Sequence, residues 1–99
     1  MKRKLVLRGG AAAEFDEAIA GYEADREGLG REFRASIENH FQRIVENPEW
    51  FRKVRGEVRR LVVPRRFPYV IHFRIESDQI VILSVFHTSR DPEQLKYRR

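Results

Sequence analysis

The segment SVFHTSRDP, residues 84–92, brings a histidine and an arginine, which could do acid–base chemistry or bind an acidic group, to the end of an apolar run. Histidine is the side chain whose unperturbed pKa lies near neutrality, so His87 could act as a general base or a general acid. Arg90, three residues later, could hold a phosphate through two parallel hydrogen bonds and stabilise a charged phosphorane. Attack by a 2′-hydroxyl needs these roles together, namely a base, an acid and cations around the phosphate. These residue types make an active site one hypothesis for the end of this apolar run, beside a binding site for something acidic and a solvated strand end.

Other side chains could complete such a site, although none is a firm catalytic residue on sequence alone. The candidate set for a metal-independent endoribonuclease is Arg59, Arg74, His87, Arg90 and Tyr97. A structural interpretation competes with it, because Asp91-Pro92 is a strong turn signal. Arg90 would then pair with Asp91 or with a helix carboxylate, and His87 would be a packed or hydrogen-bonded residue at a strand end.

Length and composition indicate one domain spanning residues 1–99. The chain has no cysteine, so it has neither a disulfide framework nor a cysteine-based zinc site. No histidine or carboxylate pair has metal-ligand spacing, and Gly9-Gly10 lacks the Lys-Ser/Thr of a phosphate loop. No apolar run approaches the ~20 residues that cross a bilayer. We therefore expect a cytoplasmic protein with no cofactor, no metal and no membrane contact.

The charge is divided between two parts of the chain, within a net charge of +5. Residues 11–50 carry ten acidic and four basic side chains. Residues 51–74 carry eight basic side chains and only Glu57 as an acid. This division favours an acidic or polyanionic partner for the basic part. A soluble surface that is simply rich in arginine is the alternative.

The spacing of apolar residues predicts the elements that would position these side chains. Residues 3–8 read as a short strand, with Gly9-Gly10 as the break after it. Two amphipathic helices follow, the first ending at Gly28 and the second running from Leu29 to a stop at Pro48. The short connection between them predicts an antiparallel helix hairpin.

From residue 57 onward the apolar period changes to two, which predicts a three-stranded antiparallel meander. Its strands are residues 57–64, 67–76 and 79–87. A basic connector precedes it, in which Trp50 and Phe51 are expected to close the end of the core. The predicted fold class is α+β: an N-terminal strand, an antiparallel helix hairpin and the meander, with the helices packed on one face of the sheet.

A two-residue turn at Ser77-Asp78 sets the register of the last two strands. Glu76 then lies opposite Gln79, and each further step pairs one residue from each strand. The helix side of the sheet receives Tyr69, Ile71, Phe73, Ile75, Ile80, Ile82, Ser84 and Phe86. The opposite side, here named the outer face, receives Pro68, Val70, His72, Arg74, Val81, Leu83, Val85 and His87. A slip of one residue would exchange the two faces.

The pairing of the preceding strand stays open between two alternatives. A two-residue loop at residues 65–66 places Arg60 on the helix side. A three-residue loop at residues 64–66 sends Arg60 to the outer face and turns Arg59 inward. The sequence leaves open which of the two arginines lies on the outer face.

The stretch FPYVIHFRIESDQIVILSVFHTSRDPEQLKYR, residues 67–98, resembles the closing segment of the RelE/ParE toxin superfamily. The specific parts are Phe-Pro-Tyr at residues 67–69 and His-x-x-Arg-Asp-Pro at residues 87–92. The helical segments EFDEAIAGYE and LGREFRASIENHFQRIVENPE are also similar to the helix hairpin of that family. The resemblance covers nearly the whole chain and favours the ParE branch.

The resemblance implies the toxin of a type II toxin–antitoxin module of the plasmid-stabilisation kind. ParE-type members cause growth arrest by inhibiting DNA gyrase and are not nucleases, whereas RelE-type members cleave messenger RNA on the ribosome. RelE-type sites rely on a dense set of lysines and arginines, but Lys53 is the only lysine between residues 5 and 95 here. We therefore expect a non-enzymatic gyrase inhibitor, with a RelE-like endoribonuclease as the alternative.

The resemblance also implies a cognate acidic antitoxin that wraps a partly disordered segment around the toxin in a hetero-oligomer. The first and last strands are candidate edges for strand addition, and the groove between helix hairpin and sheet suits an amphipathic helix. Apolar groups on the outer face would be covered by the same partner. The expected partner-binding residues are Arg52, Lys53, Arg55, Arg60, Val81, Leu83 and Val85.

Overall fold

The structure, a computed structural model, describes residues 3–64 and 66–90, and for Arg90 only the backbone. The elements are β1 (Lys4–Leu7), α1 (Gly9–Asp25), α2 (Leu29–Glu46), β2 (Lys53–Arg55), β3 (Val58–Val62), β4 (Tyr69–Ile75) and β5 (Gln79–His87), with 3-10 turns at Pro48–Trp50 and Thr88–Arg90. Two nuclease candidates, Tyr97 and the side chain of Arg90, lie outside the described residues. None of the described helices has the length and apolarity needed to cross a bilayer.

The strands form one sheet in the order β1-β5-β4-β3-β2. β1 runs parallel to β5, with Lys4 opposite Gln79, and the other neighbours are antiparallel. The predicted α+β fold, with its N-terminal strand, helix hairpin and antiparallel meander, is confirmed. β2 is an addition, because it forms within the segment expected to be a connector. The prediction that the last strand is a sheet edge was wrong: β1 pairs with β5, and β1 and β2 are the edges in the described part of the chain.

A glutamate holds the tight turn between the two helices. α1 begins at Gly9, so Gly9 and Gly10 form its first turn and not a break. Gly28 has a left-handed backbone with φ of 87°, a conformation that favours glycine. Glu23 accepts hydrogen bonds from the N–H groups of Gly28 at 2.9 Å and Gly30 at 3.0 Å. The bond from Gly28 is the main cause that lowers the pKa of Glu23, since it favours the charged carboxylate.

The apolar stripes of the helices pack on one face of the sheet. The ring of Phe33 lies at the centre, 4.8 Å from the Tyr22 ring and 4.9 Å from the Tyr69 ring. Burial of each large apolar side chain stabilises the fold by about 1.5–3 kcal/mol. The largest fully buried side chains of this core are Phe33, Ile37, Ile44, Ile71, Phe73, Ile80, Ile82 and Val85.

A β-bulge divides the hairpin of β4 and β5 into two registers. Next to the turn the pairs are as predicted, with Phe73 opposite Ile82. The register then shifts, and His72 lies opposite Ser84. Leu83 is therefore the additional residue of β5, and it was not expected.

The bulge reverses the faces of residues 84–87. An extra residue changes the side-chain phase of a strand by one, which exchanges the two faces beyond it. Val85 is buried in the core at 1% exposure, so its predicted position on the outer face was wrong. Phe86 lies on the outer face, with its ring 5.3 Å from that of His72, so its predicted packing on the helices was also wrong.

α1 supplies an acceptor for the strand edge beside the bulge. The pairing of β1 with β5 ends at Leu7, opposite Ile82. Beyond that point, the N–H of Val85 donates to a carboxylate oxygen of Glu14 at 3.0 Å. A buried N–H without an acceptor is costly, so this carboxylate helps to fix the register after the bulge.

The pairing of β3 with β4 decides which arginine faces outward. Arg60 lies opposite His72 and is on the outer face, whereas Arg59 lies opposite the buried Phe73 and is on the helix side. These faces match the three-residue alternative. The last pair of β3 and β4 joins Val62 to Val70. Residues 63–69 lie between these two partners, so the connection is longer than in either alternative.

Candidate functional site

His87, the candidate for proton transfer, ends β5 on the helix side of the sheet and not on the predicted outer face. It lies opposite Tyr69, and the two rings meet edge-on with centroids 5.5 Å apart. The N–H of Ser89 donates to Nδ1 of His87 at 3.2 Å, and the Ser89 hydroxyl lies 2.9 Å from the same nitrogen. The neutral ring therefore carries its hydrogen on Nε2. These contacts fit the structural interpretation of a hydrogen-bonded strand end.

A cleft of about 410 Å³ lies beside His87, between α1 and the end of β5. Its described lining contains two carboxylates, Glu14 and Glu17, and neither arginine nor lysine. Like charges repel, and RNA binding depends on cations that neutralise phosphates. In the described part of the cleft, the carboxylates of Glu14 and Glu17 therefore oppose the binding of an RNA backbone.

The described nuclease candidates lie at three separate places. Arg59 is on the helix side near β2, where its guanidinium donates to the backbone carbonyl of Phe51 at 2.8 Å. Arg74 is on the outer face opposite Val81, six residues along β5 from His87. At about 3.3 Å per residue, that is a separation of roughly 20 Å. The described part of the chain does not bring a base and two phosphate-binding arginines together.

Arg74 is engaged in a network that supports the turn between β4 and β5. Its guanidinium donates to one carboxylate oxygen of Glu76 at 2.8 and 3.1 Å. The amide of Gln79 donates to the other oxygen at 2.7 Å. The bond from Gln79, followed by that from Arg74, lowers the pKa of Glu76. This arginine is thus placed where it stabilises the hairpin.

The outer face holds part of the expected partner-binding set. Arg60 and Val81 share this face, although Val81 is only 7% exposed. Leu83, at the bulge, is half-buried and is not part of the hydrophobic core. His72, between them, has Nδ1 at 3.0 Å from the hydroxyl of Ser84. Val85 is separated from this group by its place in the core.

Trp50 is 77% exposed, so the expectation that it closes the core was wrong. Its neighbour Phe51 alone packs on the core, with its ring 5.9 Å from that of Phe73. The guanidinium of Arg43 lies 5.7 Å from the centroid of the Phe51 ring. Nothing in the sequence distinguished the two adjacent aromatic residues, and the exposed indole was missed as a candidate surface residue.

The remaining expected partner-binding residues are exposed next to Trp50. Arg52 precedes β2, and Lys53 and Arg55 belong to it. Lys53 pairs with Glu57 at 3.2 Å. Within residues 3–64 and 66–90, no carboxylate lies within ion-pair distance of Arg52 or Arg55.

An apolar groove follows the opposite edge of the sheet. It has a volume of about 610 Å³ and lies between β1 and the two helices. Leu5, Leu7, Phe15 and Phe41 form its apolar lining, and polar side chains of α2 line it as well. The sequence predicted a groove between the helix hairpin and the sheet, and this groove has that position.

Comparisons with known proteins identify the family. The sequence matches the family described as the ParE toxin of type II toxin–antitoxin systems, parDE, over residues 5–92. The fold is similar to a solved chain from a chromosomal ParDE toxin–antitoxin system of P. aeruginosa, with a TM-score of 0.62 and 21% sequence identity over 86% of this chain and 95% of that chain. A comparison with curated proteins finds no match. The family match spans most of the sequence, and this chain therefore belongs to the ParE toxins of type II toxin–antitoxin systems.

Proposed function

We propose that this ParE-family chain acts in the cytoplasm by binding and inhibiting DNA gyrase, and that a cognate antitoxin neutralises it. The observation that carries the proposal is the ParE family match over residues 5–92. The dispersal of Arg59, Arg74 and His87 supports the same interpretation, since a binding toxin needs no assembled acid and base. The carboxylate-lined cleft beside His87 supports it as well. The endoribonuclease alternative has no comparable support in the described residues.

The groove at β1 is the proposed binding site of the antitoxin. Its apolar lining suits the apolar side of an amphipathic helix, and Glu38 and Gln42 on α2 offer polar contacts to such a helix. The chain of the similar structure comes from a ParDE system, which indicates an antitoxin as the partner. Binding here would form a hetero-oligomer.

The antitoxin segment would continue from this groove around the edge of β1 to the outer face. Val6 of the edge strand β1 lies opposite Val81 of β5, so Val81 is one strand spacing from this edge of the sheet. Strands lie about 4.8 Å apart, which places Arg60 on β3 two strands beyond β5, at roughly 10 Å. A wrapping segment would therefore pass over Val81, which is only 7% exposed, and then meet Leu83 at the bulge and Arg60, which would attract its acidic side chains.

Induced expression of the chain alone tests the mode of action. Gyrase inhibition predicts growth arrest with an SOS response and filamentation, and loss of supercoiling activity when purified gyrase is mixed with the purified chain. Messenger RNA in the same cells should stay intact in primer-extension assays. Arrest with rapid messenger cleavage and unimpaired gyrase would overturn the proposal in favour of the nuclease.

A blocking substitution tests the antitoxin groove. Ala35 is exposed on α2 and lines the groove, so Ala35→Arg would place a long cation in the groove without removing a core side chain. We expect this variant to stay toxic while the antitoxin from the adjoining reading frame no longer rescues growth. Ala24→Arg, at an exposed alanine of α1 outside the groove lining, is the matched control and should be neutralised normally. Equal rescue of both variants would show that the antitoxin binds elsewhere.

A further inference from the structure

The outer edge of β2 is a free strand edge at the far end of the sheet from the antitoxin groove. β2 is last in the strand order, and in the described ranges no strand pairs with its outer side. Four strand spacings of about 4.8 Å separate it from β1, which is roughly 19 Å. Free edges can pair with an extended segment of another protein, and natural proteins usually protect them. This edge is therefore a candidate binding surface separate from the groove.

Trp50 lies three residues before β2 along the chain, in the 3-10 turn Pro48–Trp50. Its backbone is held on both sides, because the Trp50 N–H donates to the carbonyl of Asn47 and Arg59 donates to the carbonyl of Phe51 at 2.8 Å. Phe51 and Pro48 are packed inward, so the indole projects outward at 77% exposure. Because this backbone is already ordered, binding through Trp50 avoids the cost of ordering the chain around it. Tryptophan is also the residue type most enriched among binding hot spots.

The charges around the free edge of β2 favour an acidic partner. The guanidinium groups of Arg52 and Arg55 are exposed and have no carboxylate partner among the described residues, so they remain open to an acidic side chain. A cleft of about 410 Å³ adjoins Trp50, and its lining includes Arg3, which precedes β1, and the carboxylates of Glu46 and Glu49.

We propose that Trp50, Arg52 and the outer edge of β2 form a second protein-binding surface, which takes an extended acidic segment of a partner by strand addition. A protein segment fits better than a nucleic acid for two reasons. The free edge offers backbone hydrogen bonds that only a peptide can complete as a strand. The exposed carboxylates of Glu49 and Glu57 flank the surface and would repel a continuous phosphate chain, whereas a peptide can place its acidic residues selectively. The proposal does not depend on the antitoxin groove, because neither Trp50, Arg52 nor any residue of β2 lines that groove.

The indole is a built-in reporter for the test, because Trp50 is the only tryptophan of the chain. The probe is a 12-residue peptide of alternating glutamate and valine, titrated into the purified full chain. We expect a saturable change of tryptophan fluorescence and shifts of the Val54 and Arg55 amide signals in NMR spectra. A peptide of alternating lysine and valine and a 12-nucleotide oligothymidylate should give neither. Stronger binding of the oligonucleotide, or no binding of the acidic peptide, would overturn the proposal.

Variants locate the binding site. With a fluorescently labelled acidic peptide, Trp50→Ala and Arg52→Glu should each weaken binding about tenfold or more, as loss of a hot spot does. Val62→Ala removes an apolar side chain that is 49% exposed at another place and should bind as the wild type does. Arg31→Glu, at an exposed arginine of α2, is the charge-matched control for Arg52→Glu. If the control variants weaken peptide binding equally, the attraction is nonspecific and the proposed site is refuted. Circular dichroism checks that each variant is folded.

Discussion

Replacing Gly30 with alanine should destabilise the protein, although alanine is the better helix former. A Cβ at Gly30 would lie 2.6 Å from the carbonyl oxygen of Ile19 and 2.9 Å from Cβ and Oε1 of Glu23. Ordinary contact begins near 3.4 Å, so α1 and α2 would have to separate locally by about 0.8 Å. The Ile19 oxygen belongs to the backbone and cannot move alone. Rotation of the Glu23 side chain would break its bonds to the helix turn.

The magnitude follows from two opposing effects. Forcing an extra carbon into a close-packed contact costs roughly 1–3 kcal/mol. Alanine regains at most about 1 kcal/mol of helix propensity, and less than that at the second residue of α2. We expect a net loss of about 1–2 kcal/mol, and each kcal/mol lowers the Tm of a domain of this size by roughly 4–8 °C.

Urea and thermal unfolding, followed by circular dichroism, would measure the change against a matched control. Gly21 lies within α1 and is exposed, and a Cβ there would meet no atom within 4 Å. Gly21→Ala should therefore stabilise the protein by up to about 1 kcal/mol. The two glycine-to-alanine changes are thus expected to have opposite signs. If Gly30→Ala is as stable as Gly21→Ala, close approach of the helices is not what Gly30 provides.

Two further substitutions test the carboxylates that bind backbone N–H groups. The pKa of Glu23 is lowered from 4.5 in the folded state, so its stabilisation is present above that pH and is lost as the pH falls through the folded value. Glu23→Gln should therefore lose less stability than the wild type between about pH 6 and about pH 3 in urea titrations, and identical losses would contradict this role. Glu14→Ala leaves the N–H of Val85 without its acceptor and should cost about 1–3 kcal/mol, with faster amide exchange at Val85. Glu17→Ala, at an exposed neighbour on α1, should change stability by no more than about 0.5 kcal/mol, and an equal effect of the two would refute the assignment.

Features that depend on short-range pattern were predictable from the sequence. The bounds of β5, residues 79–87, follow from an apolar run between a turn signal and a polar cluster. The pairing of Phe73 with Ile82 follows from the two-residue turn, since counting outward from a tight turn leaves one register. The helices follow in the same way from apolar spacing and from the stop at Pro48.

Features that depend on distant contacts were not predictable. The bulge at Leu83 is stabilised by the bond between Glu14 and Val85, which are far apart in the sequence, and no local pattern marks it. The faces assigned to residues 84–87 of β5 were consequently reversed, including that of His87. The outward position of Trp50 likewise depends on Arg59, which fixes the neighbouring carbonyl from another strand.

The parallel pairing of β1 with β5 has a consequence for the synthesis of the protein. Lys4 lies opposite Gln79, so the first strand made has no neighbour until about 75 further residues have been translated. Contacts of such long sequence separation slow folding and leave apolar surface exposed meanwhile. A ribosome-bound chain that ends before β5 therefore cannot complete the sheet. Any activity that needs the complete sheet would therefore begin only after β5 has been translated.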